Sequence, residues 1–226
     1  MDQILDNRKK GKVGDTIKDL ITTGSKLSFI SSCFTIYAFQ ELKDNLKKCD
    51  NLRFLFIEPT FIRNKPSESR EYYIGRSERE KSLSGSEFEL RLKNDLNQSS
   101  IARECAAWVK EKAEMRSLVD SSVASVKIYH GENSDGEQFA IQGNSDFTAE
   151  GMGFTPSAKR NVNTLTKNQE TTQGLLSFFD EIWDNDELVE DVKDEVLSRI
   201  LRLCKEKPPE FLYFVTFYNI FKYYLE

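Results

Sequence analysis

Two short stretches carry the side chains whose types and spacing could do chemistry. Ser125-Val126-Lys127-Ile128-Tyr129 reads as a strand, and Gly143-Asn144-Ser145-Asp146-Phe147-Thr148 closes a second strand-like run, Gln138 to Gln142. Strand side chains alternate, so Ser125, Lys127 and Tyr129 share one face while His130, the chain's single histidine, points to the other. A lysine at such a place can hold the non-bridging oxygens of a phosphate and neutralise developing charge. The same lysine beside Asp146 can equally form an ion pair that needs no ligand. Ser125 is a weak nucleophile as it stands, because an unactivated hydroxyl needs a base and no histidine lies nearby on its face. Moving His130 into that role requires a bulge in the strand, and an ordinary half-exposed histidine is the simpler expectation.

These residues resemble the active-site half-motif of the phospholipase D superfamily, in the version found in front of bacterial DNA helicases. That version has His-x-Lys on a strand, followed by Gly-Ser-Ser-Asn-Phe-Thr. Lys127, Gly143, Ser145, Phe147 and Thr148 match it, Ser125 stands at the histidine position, and Asp146 stands at the asparagine position. The likeness extends to Phe34-Thr35-Ile36-Tyr37, Phe88 to Trp108, Phe179-Asp180-Glu181-Ile182-Trp183 and Pro209 to Phe214, nearly the whole chain.

In this family a histidine attacks phosphorus and forms a phospho-histidine, a second histidine acts as acid and base, and lysine and asparagine hold the phosphate oxygens. A further acidic position of some family nucleases falls near Asn163. The resemblance therefore implies a catalytically degenerate site built on Ser125, Lys127, Ser145, Asp146 and Asn163, with Lys127 and Ser145 as phosphate-binding candidates and with neither metal nor cofactor. Asp146 would repel a phosphate at ~5 Å by about 3 kcal/mol at an effective dielectric near 20.

The partners implied are DNA, a helicase motor domain or subunit, and a second copy of the chain, since single-motif members pair two half-sites about a two-fold axis. Two other readings stay open: a dimerisation or protein-interaction module without nucleic-acid contact, and an active phosphodiesterase or nuclease with an unconventional site.

Composition bounds these readings. At 226 residues and 38% hydrophobic, the chain can bury a sizeable core. No apolar run approaches the roughly 18 residues of a membrane span, and the first residues lack a signal-peptide pattern. A cytoplasmic protein off the membrane is expected. Cys33, Cys49, Cys105 and Cys204 are scattered, which suits reduced thiols better than zinc. The net charge of -5 is uneven, for residues 176–226 hold twelve acidic and six basic side chains. The rest is near neutral, which permits a local basic groove. No phosphate-cradling Gly-x-x-x-x-Gly-Lys-Ser/Thr sequence occurs, so the chain is not itself an ATPase.

The elements that must position the site follow from periodicity and punctuation. Residues 1–14 are expected to form a mobile basic arm, followed by a short helix capped by Asp15 and ended by Gly24. Leu27 to Phe34 and Leu52 to Ile57 read as buried strands flanking a helix with Phe39, Leu42 and Leu46 on one side, a βαβ opening. A short strand is expected at Tyr72 to Ile74, and a helix over residues 101–113 capped by Ser99 or Ser100. Further strands are expected at Met115 to Val119, Ser125 to His130, Gln138 to Gln142 and Asn161 to Thr166. Gly151 and Gly153 suit a turn with positive φ.

After Thr171 the pattern is helical, interrupted by Pro208-Pro209, and a last helix carries eight aromatics between Phe211 and Glu226. That helix is apolar on two sides, so it asks for cover from its own domain and from a partner. The expected architecture is α/β: a phospholipase D-like mixed sheet domain over residues 1–170, with helices on its flanks and a helical C-terminal appendage over 171–226.

Overall fold

The computed structural model describes residues 2–59, 87–158 and 160–204. Eight strands form one mixed sheet: β1 (Gln3–Leu5), β2 (Lys26–Ser31), β3 (Asn51–Phe56), β4 (Ala113–Leu118), β5 (Lys127–Glu132), β6 (Gln138–Gly143), β7 (Asn163–Thr166) and β8 (Val189–Asp191). Their order across the sheet is β1-β7-β6-β5-β2-β3-β4-β8. β2, β3 and β4 run parallel, and every other pairing is antiparallel.

The parallel centre is where the continuous apolar runs fall, because its strands are covered on both faces. Alternation along β3 divides the core. Leu52, Phe54 and Phe56 join one buried cluster with Phe29, Tyr129 and Phe147, while Leu55 joins a second with Ile30, Ile128, Phe179 and Trp183. Helices α1 (Val13–Leu20), α2 (Ile36–Leu46), α3 (Glu87–Lys112) and α5 (Lys193–Arg202) contribute to the first cluster, and α4 (Gln169–Trp183) covers the second. α2 closes the βαβ opening as expected. It is capped by the Thr35 side chain, which accepts the Ala38 N–H at 3.2 Å, and it buries Phe39, Leu42 and Leu46.

Several boundaries depart from expectation, each for a physical reason. Residues 3–5, assigned from sequence to a mobile arm, pair with β7 and bury Leu5 completely. A three-residue strand is too short to show a period. α1 starts at Val13 after Lys12, so Asp15 sits inside its first turn, where a carboxylate favours the helix dipole, and does not cap it. Ser99 and Ser100 lie within α3, whose backbone is already helical from Glu87.

Residues 169–202 are built into the domain and do not hang from it: α4 packs on the sheet and β8 extends it beside β4. The strand predicted to end at Phe34 stops at Ser31, and the one predicted to begin at Ser125 begins at Lys127. The Tyr72 to Ile74 strand, the stop at Pro208-Pro209 and the aromatic last helix fall outside the described residues. Among the described residues no helix is long and apolar enough to cross a membrane.

Candidate functional site

The signature residues meet at one end of the sheet because three strands finish or start there. Ile30 of β2 pairs with Ile128 of β5, and Lys127 of β5 pairs with Gly143 of β6. The end of β2, the start of β5 and the loop after β6 are therefore neighbours. An isolated parallel bridge between Phe34 and Phe147 and the Thr35 N–H donating to the Phe147 carbonyl at 3.1 Å fasten that loop to the turn after β2. Phe147 itself is fully buried, stacked on Phe34 at 5.2 Å.

Lys127 and Asp146 form an ion pair, Nζ to Oδ2, at 3.0 Å, with 17% and 29% of their side chains exposed. The same ammonium reaches the Asn144 carbonyl at 3.4 Å. The other Asp146 oxygen accepts the Ser32 N–H at 3.1 Å and lies 3.2 Å from the Ser31 hydroxyl. That hydroxyl accepts the Phe147 N–H at 2.9 Å and has the Cys33 carbonyl as its other possible acceptor, at 3.1 Å. The carboxylate of Asp146 is thus held by a cation, a backbone amide and a hydroxyl, the kinds of group that would otherwise grip a phosphate oxygen.

Ser145 points the other way. It is 1% exposed, and its hydroxyl accepts from Asn163 Nδ2 at 2.9 Å and lies 3.4 Å from Asn7 Nδ2. Asn163 returns an acceptor to the Ser145 N–H at 3.2 Å, so these two residues brace the loop against β7. Of the two phosphate-binding candidates, Lys127 alone keeps an opening to solvent; Ser145 is turned inward because its neighbour Asp146 takes the outward position. Tyr129, on the same face as Lys127, donates its hydroxyl to the Ser145 carbonyl at 2.7 Å, and burial raises its pKa well above the usual range for a phenol.

Ser125 is exposed, two residues ahead of β5. His130 does face away from Lys127, as alternation requires, but it is buried at 1% exposure where a half-exposed ring was expected. Its registered partner on β2 is Ser28, whose hydroxyl accepts from Arg53 at 2.8 Å, beneath α4. Burial pushes the His130 pKa down to about 4, and its Nε2 has no hydrogen-bond partner. A neutral ring on the opposite face of the sheet cannot serve Ser125 as a base. Cys33, the other nucleophile beside the site, is pushed up to about 11 by burial first and by Asp146 second, so it stays a thiol at neutral pH.

Ser31, Ser32 and Asn7 were not singled out from the sequence. The break from apolar to polar at Ser31-Ser32 marks the strand end, but nothing local announces that it faces Asp146. Gly151 differs from expectation too. Its φ is not positive; a Cβ there would fall on the Asp146 carbonyl, so the need is for close approach of two backbones. Gly153 does have φ +81°.

No family model matches the chain, and no curated protein does. Among solved structures, phosphatidylserine synthase from Haemophilus influenzae Rd KW20, a phospholipase D superfamily member, aligns with a TM-score of 0.50 and 10% identity, over 90% of this chain and 42% of that one. The chain thus spans less than half the length of that protein. At this identity the likeness bears on fold alone, and the fold is phospholipase D-like: a mixed sheet with helices on both faces.

Proposed function

We propose that this is a catalytically degenerate phospholipase D-like domain whose remaining role is to bind and position DNA for a helicase motor domain or subunit. The observation that carries the loss of catalysis is the Lys127–Asp146 ion pair. An internal carboxylate stands where a substrate phosphate would sit, and the exposed Ser125 has no histidine on its side of the sheet. A hydroxyl without a base, beside a cation that is already neutralised, supports neither the covalent step nor the stabilisation of charge in the transition state.

The helicase association rests on the sequence resemblance, which covers nearly the whole chain. A single half-motif also leads us to include a two-fold partner in the proposal, with two Lys127-bearing ends facing one another. Sedimentation at tens of micromolar tests that part, and a strictly monomeric profile rejects it.

The central test is metal-independent cleavage of single- and double-stranded DNA by the purified chain. No turnover is expected from the wild type, and trace turnover from the Ser125→His, Asp146→Asn double variant if the surrounding shell still supports the geometry. Robust wild-type cleavage that disappears in Lys127→Ala would reverse the reading and make the domain an active nuclease with an unconventional site.

A further inference from the structure

Arg8-Lys9-Lys10-Gly11-Lys12 sets four cations in five residues, and the fold holds this run as a closed loop. The Asp6 carboxylate accepts the N–H groups of Arg8 and Lys10, each at 2.9 Å. The Asn7 N–H donates to the Gly11 carbonyl at 2.9 Å, and Asn7 Oδ1 accepts the Val13 N–H at 2.9 Å. Asn7 sits at φ +58°, a left-handed conformation that asparagine tolerates better than most residues. Its Nδ2 donates to the Gly151 carbonyl at 2.7 Å, which pins the basic loop to the signature loop.

Arg8 in turn donates to the Ser157 carbonyl at 3.0 Å, tying in a second loop that carries the exposed Arg160. Between the two loops lies a cavity of about 360 Å³, walled by Arg8, Lys12, Phe154, Pro156 and Asn161 among others.

The acidic side chains here are engaged within the chain. Asp6 is taken up by backbone amides, Glu150 accepts the Ser157 hydroxyl, and Asp15 lies 3.9 Å from Lys12. Five cations (Arg8, Lys9, Lys10, Lys12, Arg160) stand against these three carboxylates, in a chain whose net charge is -5.

We infer that this pair of loops, and not the Lys127 pocket, is the surface on which the domain holds nucleic acid, with successive phosphates of a single strand lying along residues 8–12. The inference rests on the DNA-positioning reading and names its surface. Cations strung along an exposed loop do not converge on one point, so they suit a linear polyanion better than an isolated phosphate. Lys127 already has a counter-charge at 3.0 Å. Phe154 packs on the core with Lys18 4.4 Å over its ring, and the exposed Pro156 beside the cationic row offers an apolar contact to a splayed base, which a duplex does not present.

The experiment is fluorescence anisotropy of a labelled single-stranded oligonucleotide of about 20 nucleotides, between about 50 and 200 mM salt. It uses the full chain, a variant with Arg8, Lys9, Lys10 and Lys12 all changed to Ala, and Lys127→Ala. The loop variant is expected to bind at least about tenfold more weakly at the lowest salt and to lose about three units of salt slope, a larger loss on both counts than Lys127→Ala gives. Lys9→Glu with Lys10→Glu, at two exposed positions that leave Asn7 untouched, repeats the test without disturbing the loop.

If Lys127→Ala loses binding while both loop variants keep it, the inference is overturned and the DNA-positioning reading stands. If the wild type does not bind the oligonucleotide at all, the reading falls and the inference with it. Binding to anionic phosphatidylserine vesicles but not to the oligonucleotide overturns the inference in favour of a membrane surface.

Discussion

Neighbouring positions on β5 feed two polar clusters with opposite constraints. Lys127 faces the loop after β6 at the sheet's end and meets Asp146 at 3.0 Å; His130 faces α4 and lies in the layer where Arg53 meets Asp180 at 2.8 Å. Each cluster contains one cation and one carboxylate, but they are held differently. Arg53 is clamped between Ser28 and Asp180 and lies 4.8 Å from the centre of the Phe179 ring, so packing of α4 fixes it. Asp146 is fixed by a hairpin-end loop whose shape depends on Gly151, Asn7 and the end of β2.

The two faces thus separate what a phosphodiesterase would need together: the lysine stands at the rim and the histidine inside the opposite layer. One strand cannot bring both to a single substrate without changing its register.

The comparison is most strongly broken at the loop. In Gly151→Ala the new methyl would fall on the Asp146 carbonyl and lie 2.9 Å from its nitrogen. Two backbones cannot yield as a flexible side chain can, so a loss of about 2–3 kcal/mol is expected by urea denaturation. A loss below about 0.5 kcal/mol, the range of ordinary surface changes, would show that the loop adapts freely and that Asp146 is not held where it stands.

The buried histidine provides the next effect. Its folded pKa, about 4, lies below the ordinary 6.5, so the unfolded chain takes up the proton first. The stability contribution is complete above 6.5 and is lost as pH falls from there through 4. At about 1.4 kcal/mol per pH unit, the loss amounts to about 2 kcal/mol between pH 6.5 and about 5. His130→Leu should flatten that slope. Equal slopes in the two proteins would mean that the ring is open to solvent and that the two faces do not differ as described.

Asp146→Asn sharpens the contrast from the other side. The amide keeps one acceptor for Ser32 but leaves Lys127 without its counter-charge, at a cost of about 1 kcal/mol for this partly exposed pair. Millimolar inorganic phosphate should then raise the melting temperature of the variant and not of the wild type. A wild type stabilised equally would mean that Asp146 does not exclude the anion. Ser125→Ala is the smallest change: the residue is exposed ahead of β5, and stability should stay within about 0.5 kcal/mol. A larger loss would assign Ser125 a structural bond.

Much of the fold was legible because burial imposes period and composition. The apolar runs of β2 and β3, the Thr35-capped helix between them and the close-set strands around the signature all lie within a few residues of where patterning put them. The two sheet edges were not legible. β1 and β8 are three residues each, and both are defined by the strands they join, β7 and β4. Among the described residues after 170 the helical pattern was visible, but not that α4 covers the sheet, that β8 interrupts the helical run, or that α5 joins the core beside α3.

The sequence by itself determined that Lys127 and His130 stand on opposite faces, since alternation along a strand is a local property of the backbone. Only the tertiary structure decided that Asp146 neutralises Lys127, that Ser145 and Asn163 turn inward as a brace, and that Asn7 folds the basic loop against Gly151. Those contacts join residues between 18 and 144 positions apart in the chain. No local propensity encodes such distances; they exist because strands far apart in sequence start or finish at the same end of one sheet.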